Sequence, residues 1–315
     1  MQFSGLHHLT AISADIKANR AFYTGVLGLR LVKKSINQDD VKAYHLYYAD
    51  GRGSPGSDVT FFDWQREPEQ RGTGSISRTG LRVADAASLS WWHAHLSRAG
   101  VSVGEIAERD GRQTFDFEDP EGQRLALLVD AAAGPGHAWD KSPIPRQHQI
   151  RGIGPVTLSV ADLAPTDRFL CEVLNMRRAR DYPDPGNEKN SVHVYSMGAG
   201  GAAAELHVAV EPDLPRAKEG AGGVHHVALR TPDDEQYGAW AERLDAAKVR
   251  NSGKIDRYYF HSLYFREPNG ILFEIATDGP GFAVDEPAES LGERLSVPPF
   301  LEARRAEIEA GLKPI

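Results

Sequence analysis

The 315-residue chain sets 36 Lys and Arg against 44 Asp and Glu, and the resulting net charge of −8 excludes the basic footprint of a nucleic-acid binder. Hydrophobic and charged fractions of 41% and 25% exclude a disordered or fibrous chain. The single cysteine, Cys171, excludes an intrachain disulfide and a cysteine-based zinc site.

Four repeats follow one another. Gly5-Leu6-His7-His8-Leu9-Thr10-Ala11 opens the first as a strand-like run ending at Asp15, followed by helical periodicity over residues 19–27 and a β-rich run over 43–48. The second opens at Ser75-Ile76-Ser77-Arg78, reaches Asp85, continues as a helix over 87–99 and closes with a strand after Pro120-Glu121-Gly122. The third opens at Gly152-Ile153-Gly154-Pro155, reaches Asp162 and continues as a helix over 166–174 with a β-rich run at 192–195. The fourth opens at Gly223-Val224-His225-His226, reaches Asp233, continues as a helix over 235–247 and closes after Pro268-Asn269-Gly270. Each Asp is placed to cap the helix after it. The unit is βαβββ, four times over.

The Gly/Pro-containing stretch before His148 reads as a connector. The expected domains are 1–131 with two modules, a linker at 132–149, 150–282 with two modules, and a tail at 283–315 carrying a helix over 300–312. That tail is expected against the surface or a partner chain, which allows a homo-oligomer. Met1 to Gly5 lacks a basic segment leading into an apolar one, and no run is apolar enough to span a bilayer. A cytoplasmic protein with neither a membrane nor a nucleic-acid partner is expected.

Alternation along a strand lets only one member of each His-His pair face a given cleft. His7 and His225 share parity with Leu9, Ala11, Val227 and Leu229, which reads as the packed side. His8 and His226 share parity with Thr10 and Ala228 and are assigned to the cleft. The other two modules carry Arg78 and Pro155 at this place, and the closing-strand slot holds Thr60, Ala126, Glu205 and Glu274 in module order. His8, His226 and Glu274 are therefore the candidate metal ligands, since two imidazoles and one carboxylate leave open positions of the kind a non-haem Fe(II) site uses. Glu274 lies in the apolar run 271–276, where an unpaired carboxylate is too costly to keep. A Glu in place of Thr60 would give four protein ligands and suit a metal that only polarises its substrate. His45, His93, His95, His137, His193 and His207 read as structural histidines, Glu205 as half of a Glu–Arg pair beside Arg78, and Trp91 and Trp92 as core.

The four modules with His and Glu at fixed positions resemble the vicinal oxygen chelate superfamily of glyoxalases, bleomycin-resistance proteins and extradiol dioxygenases. Leu6-His7-His8-Leu9-Thr10, Tyr44-His45-Leu46-Tyr47-Tyr48-Ala49-Asp50, Ser88-Leu89-Ser90-Trp91-Trp92 with His95-Leu96, Val224-His225-His226 and Ser290-Leu291-Gly292 resemble its hydroquinone ring-cleaving branch. Catechol extradiol enzymes take both histidines from the C-terminal half, and Pro155 departs from that pattern. The resemblance implies an α+β fold of two domains with half-open β-barrels. It implies a metal on His8, His226 and Glu274, with His7, Thr10, His225, Arg257 and Tyr264 around it. Its activity would be extradiol-type ring cleavage by Fe(II), with Mn(II) also compatible, on a small hydroquinone-like or catechol-like aromatic with O2. Tyr264 and a histidine behind the metal would move protons, and Arg257 would orient the substrate. The alternatives are a glyoxalase-like isomerase or lyase drawing a fourth ligand from Asp58 or Asp63, and a resistance protein that binds a small molecule.

Overall fold

A computed structural model describes residues 1–132 and 136–315, so part of the expected linker, 133–135, lies outside the described residues. The first module contains β1 (Gly5–Ser13), α1 (Ile16–Ala21), β2 (Arg30–Ile36), β3 (Tyr44–Ala49) and β4 (Asp58–Asp63). The second contains β5 (Ser75–Val83), α2 (Ala86–Arg98), β6 (Ala107–Arg109), β7 (Arg112–Glu118) and β8 (Arg124–Val129). The third contains β9 (Ile153–Val160), α3 (Leu163–Arg168), β10 (Arg177–Asp184), β11 (Asn187–Ser196) and β12 (Glu205–Val210). The fourth contains β13 (Val224–Thr231), α4 (Asp234–Ala246), β14 (Ile255–Asp256), β15 (Phe260–Arg266) and β16 (Leu272–Pro280). The repeated βαβββ unit is present four times in an α+β fold.

Each helix starts where its aspartate accepts a backbone N–H: Asp15 from Ala18, Asp85 from Ser88, Asp162 from Ala164 and Asp233 from Gln236. The helices α1 and α3 begin three residues earlier than their apolar spacing predicts, because the cap rather than the first apolar residue sets the start. Both run on into a wide π turn, Phe22–Val26 and Phe169–Val173. The tail's helical segment divides into a 3-10 turn, Pro299–Arg304, and α5 (Arg305–Gly311). Trp92 is wholly buried as expected, whereas Trp91 is half-buried, its ring stacked between His95 and His148 at 4.7 Å from each.

The strands form two eight-stranded sheets, in the orders β14-β15-β16-β13-β1-β4-β3-β2 and β10-β11-β12-β9-β5-β8-β7-β6. The first module thus shares its sheet with the fourth, and the second with the third. This corrects the expected division into 1–131 and 150–282, which pairs consecutive modules. The reason is local: within a module the opening strand lies at the sheet edge and needs a partner strand along its outer side. β1 finds β13 and β5 finds β9, both antiparallel. Periodicity identifies the modules but carries no signal for which opening strands meet. Among the described residues no helix is long and apolar enough to cross a membrane.

Because both sheets cross the linker, residues 1–131 expressed alone are expected to lack a cooperative thermal transition, and to regain one with an eluting heterocomplex when co-expressed with residues 136–315. A cooperative melt from 1–131 alone would contradict this sharing of sheets.

Candidate metal centre

The pairing of β1 with β13 builds the site. Leu6 faces Leu229 and His8 faces Ala228, so His7 is an extra residue on β1. Thr10 faces His226 and Ala11 faces Val224, so His225 is an extra residue on β13. Such bulges break strict alternation and re-aim side chains. Both rings of each pair consequently meet edge to face, with Nδ1 of His7 and His8 2.9 Å apart and those of His225 and His226 2.8 Å apart. The expectation that His7 and His225 turn away into the packed side is corrected by these bulges. Gly56, at φ +89°, supports the first one by donating its N–H to the His7 carbonyl at 2.6 Å.

Proton positions follow from the partners. His7 Nε2 lies 3.0 Å from the Thr277 carbonyl, which can only accept, so this nitrogen carries the proton and Nδ1 of His7 is a lone pair. The Nδ1–H of His8 donates to it, leaving Nε2 of His8 to face Glu274 at 3.1 Å. Nε2 of His226 lies 3.0 Å from the same Glu274 oxygen, Oε2, yet both atoms are buried without an aligned hydrogen bond. The other Glu274 oxygen accepts the Ser262 hydroxyl at 2.5 Å. Two imidazole nitrogens and one carboxylate oxygen converging this way need positive charge between them. Protons supply it in part, and a divalent ion fits all three, whose ligand atoms lie within 4.8 Å of one another.

Burial alone would raise the Glu274 carboxyl, but the adjoining His8 and His226 outweigh it and hold it well below the usual carboxylate range. Burial lowers His226, with Glu274 opposing. Burial and the neighbouring ligand imidazole push His7 and His225 each down to about 3, so both stay neutral and able to orient their partners.

The walls bring in residues the sequence reading set aside. His45 and Tyr47 on β3, Phe62 on β4, and Phe260 and Tyr264 on β15 line the cavity with His8 and His226. His45 is half-buried, with Nε2 2.8 Å from the Thr60 hydroxyl and Nδ1 2.7 Å from the Tyr47 hydroxyl, and desolvation pushes it well below its usual range. Its signal was available in the period-two pair His45 and Tyr47 opposite Thr60. Of the expected groups, Tyr264 stands edge-on to His226 with ring centroids 5.6 Å apart, and the Arg257 guanidinium lies 5.5 Å from the Tyr264 ring centroid. Thr10 instead hydrogen-bonds Thr60 at 2.8 Å and lies outside the cavity wall. Thr60 is thereby engaged, and neither Asp58 nor Asp63 joins the three-ligand cluster.

Gln38 and Asp39 cover the cavity. Gln38 donates to the Arg257 carbonyl at 2.8 Å, and Asp39 takes the Arg257 guanidinium at 2.8 and 3.2 Å. The enclosed space is about 30 Å³, room for water alone, whereas a benzene-sized cavity is on the order of 150 Å³. That space is smaller than an aromatic ring, and Arg257 ties the Gln38–Asp39 segment across it. The pair that holds it is solvent-exposed on the Asp39 side, hence cheap to break.

Glu205 pairs with Arg180 and Arg112, not with Arg78. Those guanidiniums are carried by β10 and β7, outside the neighbouring His slot that suggested Arg78.

The fold, two half-barrels of paired βαβββ modules with a His–His–Glu cluster in one cleft, defines a class. The chain belongs to the glyoxalase/bleomycin resistance protein/dioxygenase superfamily, whose model matches residues 5–127 and 152–275. It is 45% identical over 317 residues to "Putative ring-cleaving dioxygenase MhqA" of Bacillus subtilis, with 100% of both chains covered. It is 31% identical over 311 residues to the chlorohydroquinone/hydroquinone 1,2-dioxygenase of Sphingobium indicum, covering 96% of this chain and 94% of the relative. The crystal structure of a "putative dioxygenase" from Bacillus subtilis superposes with a TM-score of 0.92 at 35% identity, covering 100% of this chain and 98% of that one.

His8→Ala, His226→Ala and Glu274→Ala are each expected to reduce bound divalent metal to background in elemental analysis. Glu205→Ala is expected to keep the wild-type metal content while losing about 2 kcal/mol of stability in urea, since it leaves two guanidiniums short of a carboxylate and only Arg180 is well placed to reach water. Metal loss in Glu205→Ala with retention in Glu274→Ala would move the centre to the other half-barrel.

Proposed function

We propose that this protein is a ring-cleaving dioxygenase that holds Fe(II) through His8, His226 and Glu274 and inserts both atoms of O2 into a hydroquinone-like aromatic. The ring bond broken lies beside a hydroxyl-bearing carbon. The observation that carries the reading is a cluster of two imidazoles and one carboxylate that no fourth ligand residue joins among the described residues, set against an aromatic-walled cavity. Relatives named as ring-cleaving and hydroquinone dioxygenases across nearly the whole chain support it.

Iron bound there supplies open coordination positions and a redox couple that links an electron-rich ring to O2. Mn(II) accepts the same donors. The chain supplies the rest. Phe62 and Phe260, which line the cavity, would flank a flat ring and exclude water. Arg257, freed from Asp39 as the covering segment shifts, offers a guanidinium to a substrate oxygen that carries negative charge. Burial and Glu274 raise the Tyr264 phenol, so it stays protonated and serves as a hydrogen-bond donor. His45, hydrogen-bonded through its two ring nitrogens to Tyr47 and Thr60 and kept neutral by burial, can relay a proton only by releasing one at one nitrogen as it gains one at the other, along the Tyr47–His45–Thr60 chain. His7 and His225 hold the ring orientations of His8 and His226.

A glyoxalase-like reading needs a fourth ligand, and the slot that would provide it is Thr60, already hydrogen-bonded to Thr10 and His45.

Fe(II)-reconstituted protein prepared without air is expected to consume one O2 per hydroquinone or methylhydroquinone, with a new ring-opened chromophore, and to fall silent when the metal is removed. Turnover without O2 uptake by fully loaded protein would sink the proposal. His45→Ala is expected to lower kcat about 100-fold at unchanged metal content, the scale of a lost acid–base group. An unchanged kcat would remove His45 from proton transfer.

A further inference from the structure

The second half-barrel repeats the geometry of the first with different residues. On β5 and β9, Ile76 faces Leu158 and Arg78 faces Thr157, leaving Ser77 as the extra residue. The facing pair Arg78–Thr157 thus stands where His226–Thr10 stands in the other sheet, and the bulged Ser77 stands where His225 does. Where one cleft presents a metal-ligating imidazole, the other presents a fixed cation.

That cation has no carboxylate to itself. The Arg78 guanidinium is largely enclosed, with its side chain 20% exposed. Its nearest carboxylate oxygen, on Asp116, is 3.7 Å away, and Asp116 is already gripped by Arg109 through two hydrogen bonds of 2.9 and 2.7 Å. Its other polar neighbours are two neutral hydroxyls, that of Thr157 at 3.4 Å across the strand pair and that of Tyr182. Two guanidiniums therefore share one carboxylate, whereas deeper in the cleft Arg112 and Arg180 are matched by Asp110 and Glu205. Arg78 opens onto a groove of about 1210 Å³. Other acids along the groove are engaged: Glu118 by Arg71, Glu211 by the Ser159 hydroxyl, Asp119 by the N–H groups of Glu121 and Gln123, and Asp184 by the N–H of Gly186. Phe117, Val192, Ala209 and Leu214 give the same groove an apolar wall.

We propose that this groove is a second ligand site, separate from the His8–His226–Glu274 cleft, that binds a small organic carboxylate with an apolar body. The carboxylate sits on Arg78 with the Thr157 and Ser77 hydroxyls as further donors, and the body lies along the apolar wall. A guanidinium suits this role because its planar fork matches a carboxylate, and because enclosure strengthens the attraction. The site rests on the second half-barrel alone and does not depend on the reaction at the first.

Titration calorimetry with benzoate, acetate and inorganic phosphate tests it, on metal-loaded and metal-free protein. Benzoate is expected to bind one saturable site in both forms, at least tenfold more tightly than acetate or phosphate. Arg78→Met is expected to weaken benzoate at least tenfold while metal content and any ring-cleaving turnover stay at the wild-type level, and Arg78→Lys to restore part of the affinity. Thr157→Val, which keeps shape and loses the hydroxyl, is expected to weaken benzoate severalfold, and it decides the matter if Arg78→Met does not fold. Absence of saturable benzoate binding, equal affinity in Arg78→Met or Thr157→Val and wild type, binding that requires the metal, or phosphate binding as tight as benzoate would each overturn the proposal.

Discussion

Glu274 is a carboxylate wholly removed from water, and the structure around it follows from keeping it charged. An isolated buried carboxylate costs several kcal/mol, so it persists only where positive charge is brought to it. Here that charge comes from two directions: His226 on the strand alongside, and His8 from a strand more than two hundred residues earlier in the chain. Joining the first and fourth modules in one sheet is what makes the three atoms meet. Had consecutive modules paired instead in the same register, Thr10 would face Arg78 where it now faces His226, and Glu274 would face one imidazole in place of two.

The two bulges then turn a pair of strands into a metal-ready site. Without the extra residue, His7 would point away from His8, and nothing would fix the tautomer of the ligand imidazole. With it, the Thr277 carbonyl sets His7, and His7 sets His8. The second pair lacks such an anchor: His225 Nε2 is 3.9 Å from Glu219 at the edge of a surface pocket. One ligand is thus held rigidly and the other is held by a partner that is itself partly exposed, although the two motifs read alike in the sequence.

Much of this was legible in the chain. Repeated His-His pairs at two of four opening strands, an Asp before every helix, and a Glu inside an apolar closing strand each carry a direct physical meaning. What the sequence withheld was relational. Module pairing depends on which edges meet, a bulge depends on the register of both strands, and Arg180 reaches Glu205 from a strand whose local pattern gives no sign of it. His45 was set aside as structural for a related reason. One histidine on one strand looks structural until the strand beside it places Thr60 against Nε2 and the hydroxyl two residues along places Tyr47 against Nδ1.

The two half-barrels also show how little separates a metal cleft from one without. Asp110, Glu205 and His207 cluster in the second barrel with ligand atoms that also lie within 4.8 Å of one another, though His207 stands 3.6 and 3.7 Å from its carboxylates where His226 and His8 stand 3.0 and 3.1 Å from theirs. Yet two guanidiniums, from Arg112 and Arg180, already neutralise both carboxylates, and the Tyr182 hydroxyl lies 2.9 Å from His207 Nδ1. A metal ion entering there would have to expel cations that the chain itself provides, whereas at Glu274 the nearest positive groups are imidazoles that can lose their protons and become ligands. Proximity of donor atoms is common to both clefts. The difference lies in whether the compensating charge can leave, since an imidazole proton can be released to solvent at neutral pH and a guanidinium proton cannot.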